Sequence, residues 1–461
     1  MADLRTTFAG VTSPNPFWLA SAPPANSGAQ VHKAFEAGWG GAVWKTIGAP
    51  VLNVSNRYGA WHYGGQKMLA INNVELISDR PIEINLREIA DVKRHWPDRA
   101  VVVSAMVESA PEAWSDIVRR IEDTGADAIE LNYGCPHGMS ERGMGSAVGQ
   151  VPEYCERITR WVKEAAQIPI IVKLTPNITN IVEPARAAVQ AGANALSLIN
   201  TINSIVGVDL DTLEITPNIG GKGGHGGYAG PAVKPIALNM LSALGTDKVV
   251  ASSGLPISGM GGISTWQDAA EFLLLGATSL QVCTAVMHYG FRIIEDLCEG
   301  LANWMDSKGF ASLSDLRGKA LARISDFKNF DLAFRAVARI NVDKCIKCNL
   351  CYVACNDTAH QCIDLVNADG KIVEPLAYDV RSNGKQEALA SRPQPRVREE
   401  DCVGCRLCHN VCPVLDCIDM VELPPCQPSV TWDELSARQP EVTEDWDAMK
   451  RYREARGIHI H

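Results

Sequence analysis

A helical stretch ending in Gly, followed at once by a short apolar strand, recurs along the first 300 residues as EAGWGGAVWKTIG, DTGADAIELNYG, QAGANALSLINT and LLGATSLQVCTA. Gly38, Gly125, Gly192 and Gly276 fall just past each helix, where the backbone turns left-handed and glycine alone follows cheaply. The strands after them are apolar along their length, as parallel strands covered on both faces must be. LASAPP near 19–24, VVVSAMVES near 101–109, IPIIVKLTP near 168–176 and PISGMGGI near 256–263 bring the set to eight. Eight strands alternating with helices predict an α/β fold, a (β/α)8 TIM barrel over residues 1–302, with functional groups at the strand C-terminal ends. The polar residues expected there are Ser21, Lys45, Thr46, Asn132 to Cys135, Lys173, Asn200, Thr201, Gly261, Gly262, Cys283 and Thr284.

At 461 residues the chain exceeds what one barrel needs, and a second module is expected. Residues 303–338 read as a charged helical linker, 339–425 as a cysteine-rich module, and 426–461 as a tail with one surface helix, EDWDAMKRYREARG. The terminal HIH is too short for a metal site. Apolar residues at 46% and charged ones at 21% exclude a disordered chain. A net charge of −10 offers no field to gather nucleic acid or an anionic membrane surface. With no export signal and no apolar run near the ~18 residues of a membrane span, a cytoplasmic protein is expected.

Of the 15 cysteines, nine lie between positions 345 and 412. Cys345, Cys348, Cys351 and Cys355 form C-x2-C-x2-C-x3-C, and Cys402, Cys405, Cys408 and Cys412 repeat it, followed by Pro413; Asn356 stands where the first run would carry its Pro. Three thiolates so spaced wrap one cubane, while the fourth cysteine reaches the other cluster. One 4Fe-4S cluster is thus expected on Cys345, Cys348, Cys351 and Cys412, and a second on Cys402, Cys405, Cys408 and Cys355. Zinc sites use separated cysteine pairs instead. Cys362, Cys417 and Cys426 fit no ligand slot and are expected as buried apolar residues. The polar segment RSNGKQEALASRPQPRVREE between the runs reads as an exposed loop.

Two strand-end lysines in a barrel mouth need partners, because ammonium groups are rarely buried alone. A reduced flavin, negative at N1 and the C2 carbonyl, would supply one for Lys45 and Lys173; a barrel carboxylate is the alternative. Backbone N–H groups at Gly261, Gly262, Cys283 and Thr284 could converge on a phosphate, which suits FMN. No G-x-G-x-x-G followed by an acidic residue appears, so no NAD(P) or FAD domain is expected. The glycine-rich segment 132–149 reads as a mobile lid with Cys135 at its base. That thiol, ordinarily near pKa 8.5, suits one proton transfer per turnover, with His137 either tuning it or simply solvated. Asn73, Asn132, Asn200 and Thr201 both donate and accept, matching the edge of a neutral heterocycle.

Together, NNVELIS, ELNYGCPHGM with ERGMG, VKLTPN, INTINS, GGYAGPAVKP and GMGGI followed by QVCTA resemble the dihydropyrimidine dehydrogenase family, in particular its shorter bacterial catalytic subunit. The resemblance implies FMN contacts from Ser21, Lys45, Thr46, Lys173, Gly230, Met260, Gly261, Gly262, Cys283 and Thr284. It implies pyrimidine contacts from Asn73, Asn132, Asn200 and Thr201, with Cys135 as proton donor. Gly134 stands where the long eukaryotic members carry Ser. The implied reaction is reversible reduction of uracil or thymine, hydride arriving at C6 and a proton at C5 from the opposite face. Electrons would come from NAD(P)H through a separate FAD/NAD(P)-binding flavoprotein subunit, in a hetero-oligomer with two copies of each. The rival readings are a dihydroorotate dehydrogenase-like flavoenzyme and a non-catalytic electron-relay subunit.

Overall fold

A computed structural model describes residues 2–136, 143–358, 360–373, 392–425 and 427–455; nothing is said of the side chains of Gln66 and Lys67. The chain divides into two compact units, Met1–Arg323 and Ile324–His461.

The first unit is a closed barrel of eight parallel strands: β1 (Phe17–Leu19), β2 (Gly41–Ile47), β3 (Ala100–Ala105), β4 (Ala128–Asn132), β5 (Ile170–Lys173), β6 (Ala195–Leu198), β7 (Ile257–Met260) and β8 (Ser279–Val282). Each is followed by a helix: α1 (Gly28–Ala37), α2 (Ile82–His95), α3 (Pro111–Glu122), α4 (Pro152–Ala165), α5 (Val182–Gln190), α6 (Lys234–Thr246), α7 (Trp266–Leu274) and α8 (Ile293–Lys308). Local sequence explains several starts: Ser27 caps α1, Pro111 and Pro152 open α3 and α4, and Thr265 with Asp268 forms a capping box on α7. Gly38, Gly125, Gly192 and Gly276 have φ of +112°, +77°, +86° and +102°.

Two details differ from the expectation. β1 ends at Leu19, and Pro23–Ala25 makes a 3-10 turn instead of prolonging the strand. The barrel interior is not wholly apolar either, for Ser104, Glu130, Ser197, Ser258, Ser279 and Gln281 are all buried on its strands. At the closed end the hairpin Thr6–Phe8/Val11–Ser13 packs Phe8 against Trp18, Val43, Val102 and Ile171. Each such large apolar side chain is worth roughly 1.5–3 kcal/mol of burial.

The loops after β2 and β6 contribute a four-stranded antiparallel sheet, ordered Ile202–Ser204, Gly226–Ala229, Gln66–Asn73, Tyr58–Tyr63. Its register sets Asn73 opposite both Gly227 and Tyr58. No helix among the described residues is long and apolar enough to cross a membrane.

In the second unit Arg335–Ile340 pairs with Ile418–Leu423, and Ile363–Val366 pairs with Gln394–Val397. The helical linker proposed for 303–338 is therefore corrected. Its first part belongs to α8 and the short helix Leu313–Leu316 of the barrel unit, while residues 324–338 hold only a 3-10 turn, Phe327–Asn329, and the start of a strand. The polar segment between the cysteine runs is likewise no loop at its end, because Gln394–Val397 is a strand; residues 381–391 lie outside the described ones. Beyond Cys426, itself not described, the tail has three helices, Trp432–Arg438, Glu441–Glu444 and Trp446–Ala455. The terminal HIH is also outside.

Candidate active site

A cleft opens at the C-terminal end of the barrel strands. All fifteen residues singled out for cofactor, substrate or acid line it: Ser21, Lys45, Thr46, Asn73, Asn132, Cys135, Lys173, Asn200, Thr201, Gly230, Met260, Gly261, Gly262, Cys283 and Thr284. The barrel explains this convergence, since each residue sits at or just after a strand end or on the sheet over the mouth. The β2–β3 register shifts between Trp44 and Ile47, an irregularity that re-aims Lys45 and Thr46.

Hydrogen bonds fix the carboxamides. Asn132 Nδ2 donates to Thr46 Oγ1 at 2.9 Å, and Asn132 Oδ1 accepts from Asn200 Nδ2 at 2.9 Å and from the Gly134 amide at 3.1 Å. The Thr201 amide donates to Asn200 Oδ1 at 2.8 Å, and Asn73 Oδ1 accepts from the Glu75 amide at 2.8 Å. This mesh orients the groups before anything binds, which is what discrimination by hydrogen bonding requires.

Both lysines have carboxylate partners, Glu130 from a barrel strand and Glu75 from just after the sheet over the mouth, so a carboxylate partner of the kind raised as the alternative is present for each. Lys45 hydrogen-bonds Glu75, and Lys173 Nζ lies 3.3 Å from Glu130 Oε1. Glu75 also accepts from the Tyr58 hydroxyl and stands 3.3 Å from Arg57 NH1. Burial first, then the hydrogen bond to Glu75, pushes the Tyr58 phenol up, so it stays a neutral donor. Cys283 is a second thiol in the cleft; burial pushes it up to about 12, which leaves it a neutral wall at pH 7. Glu75, Tyr228 and Gln281 line the cleft too and were missed from sequence. Glu75 carries no spacing signal. Gln281 sits in QVCTA, where attention went to Cys283 and Thr284.

On one side Cys135 packs with Ile77, Met106 and Met144. The middle of the proposed lid, residues 137–142 with His137, lies outside the described residues.

The cleft fits a flavin on two observations. Gly261 and Gly262 have φ of +123° and +83°, and a Cβ on Gly262 would come within 3.0 Å of Gly230 O, so the backbone forms a bare cradle. Lys173, which lines the same cleft, is a cation of the kind a reduced flavin ring takes.

Gly134 is tied to Asn200, because a Cβ there would sit 2.4 Å from Asn200 Nδ2. Gly134→Ser is thus expected to push Asn200 off Asn132 and raise the KM for a pyrimidine at least about tenfold, roughly the worth of one hydrogen bond to substrate. Flavin absorbance should be unchanged; steady-state kinetics with a spectrum of the same sample checks both.

In the second unit two small cavities each gather one proposed ligand set. Cys345, Cys348, Cys351 and Cys412 line one, and Cys355, Cys402, Cys405 and Cys408 the other. Each also holds a fifth cysteine, Cys417 and Cys362 respectively, both buried as expected. Cys362 Sγ lies 3.5 Å from Cys355 Sγ.

Comparison with known proteins agrees with both units. Residues 3–305 match the dihydroorotate dehydrogenase family, and residues 338–420 match a 4Fe-4S dicluster domain. The chain is 41% identical over 363 residues to the NAD-dependent dihydropyrimidine dehydrogenase subunit PreA of Escherichia coli, covering 78% of this chain and 87% of that one. It is 40% identical over 328 residues to the chloroplastic dihydropyrimidine dehydrogenase (NADP(+)) of Arabidopsis thaliana, covering 69% and 77%. It is 33% identical over 320 residues to the catalytic subunit of dihydroorotate dehydrogenase B (NAD(+)) of Methanothermobacter thermautotrophicus, covering 69% and 98%. With its barrel matched almost from end to end and a dicluster module following, this chain belongs to the dihydroorotate dehydrogenase family.

Proposed function

We propose that this chain is the catalytic subunit of a dihydropyrimidine dehydrogenase, reversibly reducing uracil or thymine to the 5,6-dihydro base. The observation that carries the reading is the carboxamide mesh of Asn132 and Asn200 facing the same cleft as Cys135 and Lys173. FMN, when bound, supplies hydride to C6 of the base. Gly261, Gly262, Cys283 and Thr284 would hold its phosphate, and Lys173 its ring. Asn73, Asn132, Asn200 and Thr201 would grip the N–H and C=O edge of the base, and Cys135 would give its thiol proton to C5 from the opposite face. Neutral amides suit a neutral ring, since a buried charge facing it would lose hydration without gaining a partner.

Two 4Fe-4S clusters on the two cysteine sets would bring electrons from an FAD- and NAD(P)-binding partner subunit. The paired-subunit arrangement, two copies of each, and a cytoplasmic setting belong to the same reading. It is supported by the relatives' names, two of which are themselves called subunits.

A dihydroorotate substrate fits less well. Its carboxylate wants a dedicated cation, yet Lys45 and Arg57 already sit on Glu75, and Lys173 stands beside Glu130. With an artificial donor, uracil is expected to be reduced at least about tenfold faster than orotate; the reverse order would reject the proposal. NADH alone should reduce the isolated chain only slowly, because no dinucleotide fingerprint is present in the sequence. Rapid anaerobic bleaching by NADH without a partner would contradict the electron route.

A further inference from the structure

Glu130 lies within β4 and is wholly enclosed. Its Oε2 accepts from Ser197 Oγ and Gln281 Nε2, each at 2.9 Å. Oε1 accepts no hydrogen bond, although Lys173 Nζ stands 3.3 Å away. Lys173 and Glu130 are thus matched in charge without an aligned hydrogen bond, which leaves the ammonium N–H groups to the cleft that Lys173 lines. The same carboxylate orients Gln281. An ionised carboxylate only accepts, so the carboxamide turns its N–H toward Glu130 and its Oε1 away. That Oε1 is a buried acceptor without a partner among the described residues, on a cleft-lining residue only 1% exposed. Such an atom is met by a buried water or by a donor that a ligand brings, and its place on the cleft wall suits the latter.

We propose that Glu130 is a positioning residue that presents Lys173 and Gln281 to the cleft as a cation beside an acceptor, and that it moderates how strongly Lys173 favours reduced flavin. A cation next to an acceptor matches the adjacent C2=O and N3–H of the flavin's pyrimidine edge, and here the inference rests on the FMN reading above. In this enclosed site the Glu130 charge offsets that of Lys173 with little screening. Without it, the full ammonium charge would bear on the negative reduced ring.

Uracil carries the same C2=O/N3–H edge, so the test separates the two ligands. Glu130→Gln keeps the shape and removes the charge. The readout is the midpoint potential of the flavin in holoprotein, titrated spectroelectrochemically with no pyrimidine present. The ratio of reduced to oxidised flavin at a fixed potential is expected to rise about tenfold, a shift of ~30 mV upward for a two-electron couple. Glu130→Asp, which keeps the charge but draws it back by one methylene, should shift the same way by less, and it decides the question where Glu130→Gln does not fold. An unchanged potential in the flavin-loaded variants overturns the proposal, as does an effect confined to uracil affinity. A wild-type protein purified without flavin would remove the FMN reading, and this one with it, before any variant is compared.

Discussion

Replacing Cys135 by Ala is expected to lower pyrimidine reduction by about 10²- to 10⁴-fold, the usual worth of a positioned general acid, while flavin and cluster absorbance persist. The thiol is placed for one task. Its residue lines the cleft, one flank packs on Ile77, Met106 and Met144, and its carbonyl accepts from the Ser146 amide at 3.0 Å. Alanine keeps that backbone bond and most of the packing, so the fold should survive. Cys283 is a poor substitute, because burial pushes its thiol up to about 12 and makes it a weak acid. The loss should appear in kcat far more than in KM, since on the proposed reading the asparagines would still grip the base. Reduction of the flavin by an artificial donor should proceed at the wild-type rate, with only its reoxidation by uracil slowed. Near-normal reoxidation in a rapid-mixing experiment would show that another group delivers the proton.

How far the sequence revealed this site depends on the kind of signal. The barrel was legible because helix, left-handed Gly and apolar strand recur in the same order, and β2 to β8 lie where that pattern sets them. The cysteine sets were legible because spacing encodes which thiols can reach one cube, and the two cavities gather those same sets. The sheet over the mouth was not. Its strands Ile202–Ser204 and Gly226–Ala229 are short, and glycine contributes two of the four residues in the latter. They owe their form to pairing with Gln66–Asn73 rather than to any apolar alternation. The carboxylates beside the lysines were missed for another reason. Glu130 interrupts the apolar run AIELN, and a charge inside a strand buried at every position demands a partner as surely as Lys173 does. Asking that question of the acid as well as of the base would have paired them. The linker was misjudged because α8 and the 3-10 turn Phe327–Asn329 share a charged composition that does not mark where helix gives way to strand.

Stripping iron is expected to unfold the second unit while the barrel keeps its fold and its flavin. The reason lies in what the second unit has for a core. Of the ten buried residues in its main apolar cluster, five are cysteines: Cys351, Cys355, Cys362, Cys408 and Cys417. Its regular structure there consists of two separate two-stranded pairings and the short helices Leu350–Asn356 and Leu407–Val411. A lone pair of strands is marginal in water, and a nucleus this small normally needs a metal to hold it. Once the metal leaves, thiols that had been ligands face one another across apolar cavities, and metal binding energy that served as folding energy is lost. The barrel draws on no such support, having a separate core that runs from Phe17 to Leu316. Chelation under mild denaturant should therefore expose residues 324–455 to protease while a barrel fragment stays resistant and yellow. A narrower version checks the ligand sets: Cys412→Ser should lower bound iron from about eight to about four per chain, sparing the cluster on Cys355, Cys402, Cys405 and Cys408. Electron delivery from a partner should fall below a hundredth of the wild-type rate, because the relay has lost one of its two stations, while an artificial donor acting directly on the flavin should still support uracil reduction. Protease resistance of the iron-free second unit equal to that of the intact protein would mean that its fold does not depend on the metal.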